Sequence, residues 1–249
     1  MNVVLLGATA GMGRALARRM ARRGDRLFLL GRDERRLAAS ARDLVLVGPG
    51  GSADPDVGTA RCDLAEPGSI EPALDRAVAV LGRLDAVVLS AASFATQEHL
   101  ERDPQACAEL LETNFTRSIR FCEEARRRLL AGGGGTLCVF SSVAGESPRK
   151  PVAIYGATKA GLTHYLESID LRFRSKGLRV VCVKPGFVHT AMTAGMNPPP
   201  FAGSPDAVAR RVLRAIDRGR PVVYAPAVWR WVMLAIRCAP RAIKRRIEF

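Results

Sequence analysis

Short apolar runs alternate with longer amphipathic stretches along this chain. Most of the runs are continuous rather than alternating, which is typical of strands buried on both faces of a sheet. The predicted strands are 2–6, 27–30, 59–62, 86–89, 136–140, 180–183 and 222–224. Apolar residues at helical spacing predict helices over 14–23, 34–44, 69–81, 105–130, 153–175 and 205–218.

The regular alternation of strand and helix predicts a parallel sheet with helices on both faces. No linker-like composition divides the chain, and we therefore expect one domain over residues 1–249. The Gly-, Pro- and Asp-rich stretch 48–58 is predicted to be a surface loop. The glycines at 132–135 predict the end of a helix before the fifth strand.

Composition and charge exclude two classes of protein. With 48% hydrophobic and 25% charged residues, the 249-residue chain is not a disordered segment. A net charge of +14, from 38 basic and 24 acidic residues, excludes an acidic solvating protein. The arginines are scattered over the predicted helices without interleaved aromatic residues, so we expect no nucleic-acid partner.

The six cysteines and three histidines form no metal-binding pattern. No two cysteines have the spacing of a zinc site, and we expect buried thiols in a reducing compartment and no bound metal. The apolar run at the N-terminus is too short for a signal peptide, and no stretch reaches the roughly 20 apolar residues of a membrane span. These patterns predict a cytoplasmic protein.

The first predicted strand leads directly into a glycine-rich turn and a helix. Gly7, Gly11 and Gly13 have the spacing Gly-x3-Gly-x-Gly. Glycines at such a turn let the backbone approach a pyrophosphate, whose charge the free N–H groups of a helix start can hold. The strand–turn–helix context favours a dinucleotide site, and a turn that is merely tight is the alternative.

The end of the second strand bears on which dinucleotide is bound. An acidic residue there would bind the ribose hydroxyls of NAD. Here Gly31 is followed by Arg32, a cation that can pair with the 2′-phosphate of NADP. We therefore expect NADP(H) in preference to NAD(H). The alternatives are that Arg32 lies on a solvated surface and that Asp33 is only the N-cap of the next helix.

Tyr155 and Lys159 lie on one face of a predicted helix. A nearby ammonium group favours a phenolate, so we expect Lys159 to lower the pKa of Tyr155. Ser142 follows the preceding strand, where its hydroxyl can hydrogen-bond a substrate oxygen. The Tyr-x-x-x-Lys pattern alone is common by chance, and an exposed pair on a helix is its alternative explanation.

Taken together, these motifs resemble the short-chain dehydrogenase/reductase family, in its single-domain form, over essentially the whole chain. The matching positions are Gly7, Gly11, Gly13, Asp63-Leu64, Asn114, Ser142, Tyr155, Lys159 and the Pro-Gly-x-x-x-Thr segment 185–190. The resemblance implies a Rossmann-like three-layer α/β/α sandwich with a mostly parallel sheet of about seven strands.

The resemblance also implies hydride transfer between nicotinamide and a ketone or secondary alcohol, with carbonyl reduction as the expected direction. Tyr155 would be the general acid and Ser142 would orient the substrate carbonyl. Lys159 would depress the tyrosine pKa and bind the nicotinamide ribose, and Asn114 would hold a water that links Lys159 to solvent. A non-catalytic dinucleotide-binding sensor or partner protein on the same fold is the alternative.

The implied cofactor contacts come from several turns of the chain. They are Gly7, Thr9, Ala10, Gly11, Met12, Gly13, Arg32, Asp63, Leu64, Ser90, Ala91, Ala92, Tyr155, Lys159, Pro185, Gly186, Val188 and Thr190. The chain departs from the family at Leu6, where Thr is usual, and at residues 90–93, which read Ser-Ala-Ala-Ser instead of Asn-Asn-Ala-Gly. We expect Ser90 to replace part of the bonding of the missing asparagine.

By the same resemblance, residues 191–204 are the substrate lid. The segment contains Met192, Met196 and Phe201 and no acidic residue, which favours an apolar small-molecule substrate. An inert surface loop is the alternative. Further candidates for the pocket wall are Phe94, His99 and residues 146–150.

The basic C-terminal tail, residues 226–249, contains both tryptophans among apolar and basic residues. This composition allows a helix on an anionic membrane, which would suit a lipid-linked substrate. It equally allows a helix packed over the substrate pocket or a subunit interface. The family usually pairs subunits through the helices that hold Asn114 and Tyr155, so we expect a homodimer or homotetramer.

Overall fold

The computed structural model describes residues 1–49 and 57–246. Its strands are β1 (Asn2–Leu6), β2 (Arg26–Gly31), β3 (Val57–Arg61), β4 (Ala86–Leu89), β5 (Gly135–Phe140), β6 (Leu178–Pro185) and β7 (Val222–Ala225). Its helices are α1 (Gly11–Arg22), α2 (Glu34–Val47), α3 (Ile70–Leu81), α4 (Gln97–Arg102), α5 (Pro104–Leu111), α6 (Arg117–Ala131), α7 (Ala153–Phe173), α8 (Pro205–Arg218), α9 (Trp229–Cys238) and α10 (Arg241–Arg246).

The strands form one parallel sheet in the order β3-β2-β1-β4-β5-β6-β7. Successive β1 side chains enter different cores: Val4 packs with α3, α6 and α7, whereas Val3 packs with α1, α2 and α8. Because both faces of the sheet are covered, its strands are continuous apolar runs. This arrangement confirms the predicted Rossmann-like three-layer fold.

The strand order reverses between β1 and β4. β1 pairs with β2 on one side and with β4 on the other. The chain therefore leaves β1 in one direction to build β2 and β3, and crosses back to build β4. The crossover connections diverge at this point, which leaves a crevice at the carboxyl ends of the two strands.

The structure divides the helix predicted over 105–130. A π-helical turn, Glu112–Thr116, separates α5 from α6. One wider turn rotates the following side chains out of a strict helical repeat, and the apolar pattern alone did not reveal it. α4 was not predicted, and most of the loop predicted over 48–58 lies outside the described residues.

The cysteines are unpaired, and two of them depart from the predicted burial. Cys62, Cys122, Cys138 and Cys182 are buried, whereas Cys107 is half-buried and Cys238 is exposed near the end of α9. The apolar run around Cys238 predicted burial, but this run forms the surface helix α9, and the thiol lies on its exposed side. In the described part of the chain, no helix combines the length and apolarity that spanning a bilayer requires.

Candidate active site

The turn after β1 requires glycine for two different reasons. Gly7 and Gly11 have φ angles of 97° and 52°, in the left-handed region that side chains disfavour. At Gly13 a Cβ atom would overlap the Gly7 carbonyl oxygen and the Ser90 hydroxyl. α1 therefore starts very close to the end of β1, and this narrow cradle fits the pyrophosphate of a dinucleotide.

Ser90 joins the ends of the two strands that border the crevice. Its hydroxyl lies 3.1 Å from the carbonyl oxygens of both Leu6 and Gly7 and donates to them. The residue that stands in place of the family's asparagine thus fastens β4 to the glycine turn, as its position in the sequence led us to expect.

A cleft of about 320 Å³ opens at this crevice. Most of the expected cofactor residues line it, namely Gly7, Thr9, Ala10, Gly11, Met12, Gly13, Arg32, Asp63, Leu64, Ser90, Ala91, Ala92 and Thr190. Pro185, Gly186, Val188 and Tyr155 line the adjoining pocket instead. Lys159 lines neither cavity, because it lies behind Tyr155 in the protein interior.

Two arginines lie at the end of the cleft where β2 meets α2. Arg32 and Arg36 both line the cavity. The Asp33 carboxylate caps α2 by accepting from the Arg36 backbone N–H at 3.0 Å, as the N-cap interpretation predicted. Arg36 was missed in the sequence, although a second arginine in the first turn of the helix that follows Arg32 is a signal that could have identified it.

The β5–α7 connection brings Ser142 and Tyr155 into one pocket. The Ser142 hydroxyl caps a short 3₁₀ turn by accepting from the Ala144 N–H at 3.1 Å. Lys159, one helical turn after Tyr155, is buried, and its ammonium group donates to the Phe140 carbonyl oxygen at 3.1 Å. The Lys159 nitrogen lies 5.8 Å from the centre of the Tyr155 ring.

Burial controls the ionisation of this pair. It raises the pKa of Tyr155 to about 12, with the nearby Ser142 hydroxyl acting in the opposite direction. It lowers the pKa of Lys159 to about 8. Desolvation thus raises the tyrosine pKa above its ordinary value, and the depression of this pKa by Lys159 stays a prediction. At neutral pH the phenol keeps its proton.

Asn114 lies in the π-helical turn and is fully buried. Its side-chain oxygen accepts from the Ser93 N–H at 2.8 Å, and its amide nitrogen donates to the Ser93 carbonyl at 2.7 Å. The side chain thus fixes the segment after β4, which borders the cleft. A water held by Asn114 stays a prediction.

The second cavity, of about 470 Å³, has mostly apolar walls. It shares Met12, Thr190 and Met192 with the dinucleotide cleft, so the two cavities adjoin. Phe94 lines it and contacts Tyr155 edge-on, with ring centres 5.1 Å apart. Its lining residues include Ser142, Tyr155, Val143, Val152, Phe187, Met192, Met196 and Pro199.

Several residues expected in this pocket lie elsewhere. His99 is exposed on α4, and Phe201 is exposed on the lid segment outside the lining of either cavity. Of residues 146–150, only Arg149 lines the pocket. The Glu146 carboxylate is instead held by the Lys184 ammonium at 2.8 Å and by the Tyr224 hydroxyl at 2.5 Å, which ties the loop after β5 to β6 and β7.

The tail forms one side of the pocket. Trp229 of α9 lines it, and the indole lies so close to Gly186 that a Cβ atom there would overlap the ring. The indole N–H donates to the Phe201 carbonyl at 3.3 Å, and Met233 packs in the same small core. The structure thus places this part of the tail over the pocket, as one of the two sequence interpretations proposed.

Comparisons with a family model and with individual proteins point to the same family. The model for short chain dehydrogenase matches residues 1–200. The chain is 31% identical to an uncharacterized oxidoreductase of Mycobacterium tuberculosis strain H37Rv, over 98% of this chain and 96% of that protein. It is 30% identical to carbonyl reductase family member 4 of Danio rerio, over 78% of each chain.

A solved structure has the same fold. A short-chain type dehydrogenase/reductase from Mycobacterium ulcerans superimposes with a TM-score of 0.80, at 20% identity, over 98% of this chain and 97% of that one. The similarity therefore extends beyond the matched family model and includes the C-terminal part of the chain.

Proposed function

The chain belongs to the short-chain dehydrogenase family, and on that premise we propose that it is an NADP(H)-dependent reductase of ketones. Bound NADPH would supply the hydride. The observation that carries the proposal is that the Tyr155 phenol and the Ser142 hydroxyl share a pocket that adjoins the glycine-turn cleft. A protonated phenol in this position can give its proton to a carbonyl oxygen, as reduction of a ketone requires.

Each side chain of the site has a distinct part in this reaction. The Tyr155 hydroxyl gives its proton to the carbonyl oxygen as the hydride reaches the carbon. The Ser142 hydroxyl donates to the same oxygen and stabilises its developing negative charge. Lys159 provides a buried positive charge behind the phenol. Asn114 fixes Ser93, which lines the dinucleotide cleft.

Replacement of Tyr155 tests the reaction. Oxidation of NADPH by Tyr155→Phe, assayed with a panel of ketones, should be slower than wild type by about 10²–10⁴-fold, because the proton donor is lost. NADPH binding, measured by titration, should persist. Unchanged turnover would remove Tyr155 from the mechanism. A wild-type protein that binds NADPH but reduces no ketone would favour the non-catalytic sensor.

The preference for NADP(H) rests on the two cations of the cleft. A 2′-phosphate accepts charge-assisted hydrogen bonds from guanidinium groups, and Arg32 and Arg36 both line the cavity where such a phosphate would lie. The neighbouring Asp33 carboxylate is engaged in capping α2.

Exchange of these arginines tests the preference. Arg32→Ala and Arg36→Ala should each weaken NADPH binding by about tenfold and leave NADH binding nearly unchanged. Arg35→Ala is the matched control, since Arg35 is exposed on the same helical turn and does not line the cleft. Equal affinity of the wild type for the two cofactors would contradict the assignment.

We also propose that the outer face of the tail binds an anionic membrane, which would suit an apolar or lipid-linked substrate. Trp231 and Leu234 are 65% and 49% exposed on α9, with Arg230 and Arg237 exposed beside them. Tryptophan, leucine and arginine on one helix face match the chemistry of an anionic bilayer surface. A cytoplasmic location with this peripheral contact stays part of the proposal.

Subunit pairing as a homodimer or homotetramer is a further proposal. Leu111 and Phe115 are 42% and 37% exposed where α5 joins the π-helical turn. Contact between copies would cover these side chains. Light scattering in solution would give the assembly size.

A further inference from the structure

An ion pair with little exposure to solvent lies near the carboxyl edge of the sheet. The Glu146 carboxylate and the Lys184 ammonium are 2.8 Å apart, and the two side chains are only 5% and 7% exposed. The Tyr224 hydroxyl donates to the same carboxylate oxygen at 2.5 Å. None of these three side chains lines either cavity, and the reaction proposed above uses none of them.

Each partner of this ion pair is joined directly to one wall of the substrate pocket. Glu146 follows Ser142 through the short 3₁₀ turn Val143–Gly145, and Ser142 and the first two residues of that turn line the pocket. Lys184 is the next-to-last residue of β6, and Pro185 and the glycine after it line the pocket as well. The ion pair therefore connects the wall that carries Ser142 to the wall that begins at Pro185.

The wall that begins at Pro185 also borders the dinucleotide cleft. It continues to Thr190, which lines both cavities. A hydride can reach a ketone beside Tyr155 only from a nicotinamide at this boundary, because reacting atoms have to lie about 3–3.5 Å apart. One wall therefore faces the carbonyl group, and the other borders the nicotinamide.

The Lys184 ammonium has several partners at once. Burial acts against its charge, but the hydrogen bond to Glu146 acts in the opposite direction, and the pKa of Lys184 is raised. Glu167 of α7, whose side chain is 52% exposed, lies 3.5 Å from the same nitrogen, and this nitrogen lies 5.8 Å from the centre of the Tyr224 ring. Removal of one member of a buried pair leaves the other charge uncompensated, and the two walls lose a contact of fixed geometry.

We propose that Glu146 and Lys184 are positioning residues, which hold the Ser142 wall and the Pro185 wall in the relative placement that hydride transfer requires. This inference rests on the proposed reductase function. Since neither side chain lines a cavity, the pair acts through Ser142 and through the segment that follows β6. The Tyr224 hydroxyl supports the same arrangement by restricting the Glu146 carboxylate.

Two measurements report on the placement of the nicotinamide without any turnover. The first is the fluorescence of NADPH at saturation, because a nicotinamide held rigidly in an apolar pocket emits more strongly than one that moves in water. The second is the affinity for 2′-phospho-ADP-ribose, which contains the pyrophosphate and the 2′-phosphate but lacks the nicotinamide. A shift of the Pro185 wall should change the first and leave the second unchanged.

Glu146→Gln removes the negative charge from the pair and nearly preserves the size of the side chain. The emission of bound NADPH should fall toward that of free NADPH, while 2′-phospho-ADP-ribose binds as it does to the wild type. With a ketone that the wild type reduces, kcat should fall by about tenfold or more, since a misplacement of about 1 Å can cost on the order of 10²-fold.

Tyr224→Phe is a milder variant, which removes one hydrogen bond to Glu146 and retains the ring. It should cause a smaller change in the same direction, and it provides the test if Glu146→Gln does not fold.

Asp85→Asn is the matched control. The Asp85 carboxylate also forms an ion pair, with Arg83 at 2.8 Å, and accepts from a backbone N–H, that of Asn2 at 2.8 Å. It lies beside the starts of β1 and β4, at the opposite edge of the parallel sheet. This variant should lose stability in denaturant unfolding without a change in NADPH emission or kcat.

Wild-type emission in both Glu146→Gln and Tyr224→Phe would overturn the inference. An equal change of emission in Asp85→Asn would do the same, since it would reflect lost stability alone. A wild type that binds no NADPH, or binds it without any gain in emission, would also overturn it. If the variants change the emission but the wild type reduces no ketone, only the proposed reaction is overturned.

Discussion

Lys159 carries its amine into the protein interior, where it donates to the Phe140 carbonyl oxygen. The sequence shows that Tyr155 and Lys159 share a helix face, and from this we expected the ammonium to acidify the phenol. In the folded protein both groups are desolvated, and each shifts toward its neutral form. Spacing along a helix predicts proximity, whereas the pKa values depend on burial, which the sequence pattern does not give.

The depressed pKa of Lys159 predicts how stability depends on pH. Its folded pKa is about 8 against an ordinary value of 10.5, so between these pH values the unfolded chain binds a proton that the folded chain does not. The free energy of unfolding therefore rises with pH across this window, and the cost of burying the charged amine is fully present below about pH 8. Lys159→Met lacks this contribution.

Thermal unfolding of both proteins across the pH range checks this. The melting temperature of the wild type minus that of Lys159→Met should be flat below the folded pKa and should rise by several degrees above it. Lys150→Met, at an exposed site, should follow the wild type. If the difference in melting temperature falls as the pH rises, the pKa of Lys159 is not lowered in the folded protein.

At the scale of elements, the glycine turn holds α1 against the ends of β1 and β4. Gly13 packs on the Gly7 carbonyl, and the Ser90 hydroxyl bonds the carbonyls of Leu6 and Gly7. The turn, the strands and the order of motifs could be predicted, because each is a local pattern of residue types. The mostly parallel sheet of about seven strands could then be inferred from the family resemblance, whereas the strand order comes from the structure.

Other features of the same elements arise from contacts between distant segments. The π-helical turn around Asn114 leaves no mark in an apolar pattern, and Arg149 lines the pocket only because the loop after β5 folds back. Trp229, at the start of α9, contacts Gly186, which follows β6 and lies far from it in the sequence. Sequence periodicity gives the faces of single elements and does not give such pairings.

The close approach at Gly13 predicts the effect of a single methyl group. In Gly13→Ala the new Cβ would overlap the Gly7 carbonyl oxygen, which is backbone and cannot rotate away. We expect a loss of about 1–3 kcal/mol in the free energy of unfolding and weaker NADPH binding, measured by denaturant unfolding and by titration.

Gly68→Ala is the matched control for this substitution. Nothing lies within 4 Å of a Cβ atom built at Gly68, so its stability and NADPH affinity should equal those of the wild type. A Gly13→Ala protein with wild-type cofactor affinity would show that the turn can widen without loss of the cradle.

At the scale of the whole molecule, the tail connects the substrate pocket to the outer surface. One face of α9 packs Trp229 and Met233 into the protein, and the other exposes Trp231 and Leu234. Met192 and Met196 of the lid segment line the pocket and are also 44% and 42% exposed. Met192 and Met196 thus present apolar surface both to the pocket and to solvent, which would suit the proposed delivery of a substrate from a bilayer.

Membrane binding by this face predicts flotation with vesicles. The wild type should float with vesicles that contain phosphatidylglycerol and only weakly with pure phosphatidylcholine, and added salt should reduce the bound fraction. Trp231→Ser combined with Leu234→Ser should reduce the bound fraction by roughly tenfold or more, because two apolar contacts are lost.

Leu46→Ser is the control for this experiment, since Leu46 is 77% exposed on α2, away from the tail in sequence. Equal flotation of the tail variant and the wild type would disprove the contact. A tail variant that instead dissociates an oligomer, seen by light scattering, would identify the outer face of α9 as a subunit interface.

The position of Trp229 also makes substrate entry observable without any added label. Its indole bonds the Phe201 carbonyl at 3.3 Å and forms part of the pocket wall, so an outward swing of residues 191–204 would break that bond and hydrate the ring. The chain has two tryptophans, and a Trp231→Phe protein would retain Trp229 as its single indole fluorophore. If residues 191–204 act as the predicted lid, the emission wavelength of this indole would follow their opening in real time, even before a substrate has been identified.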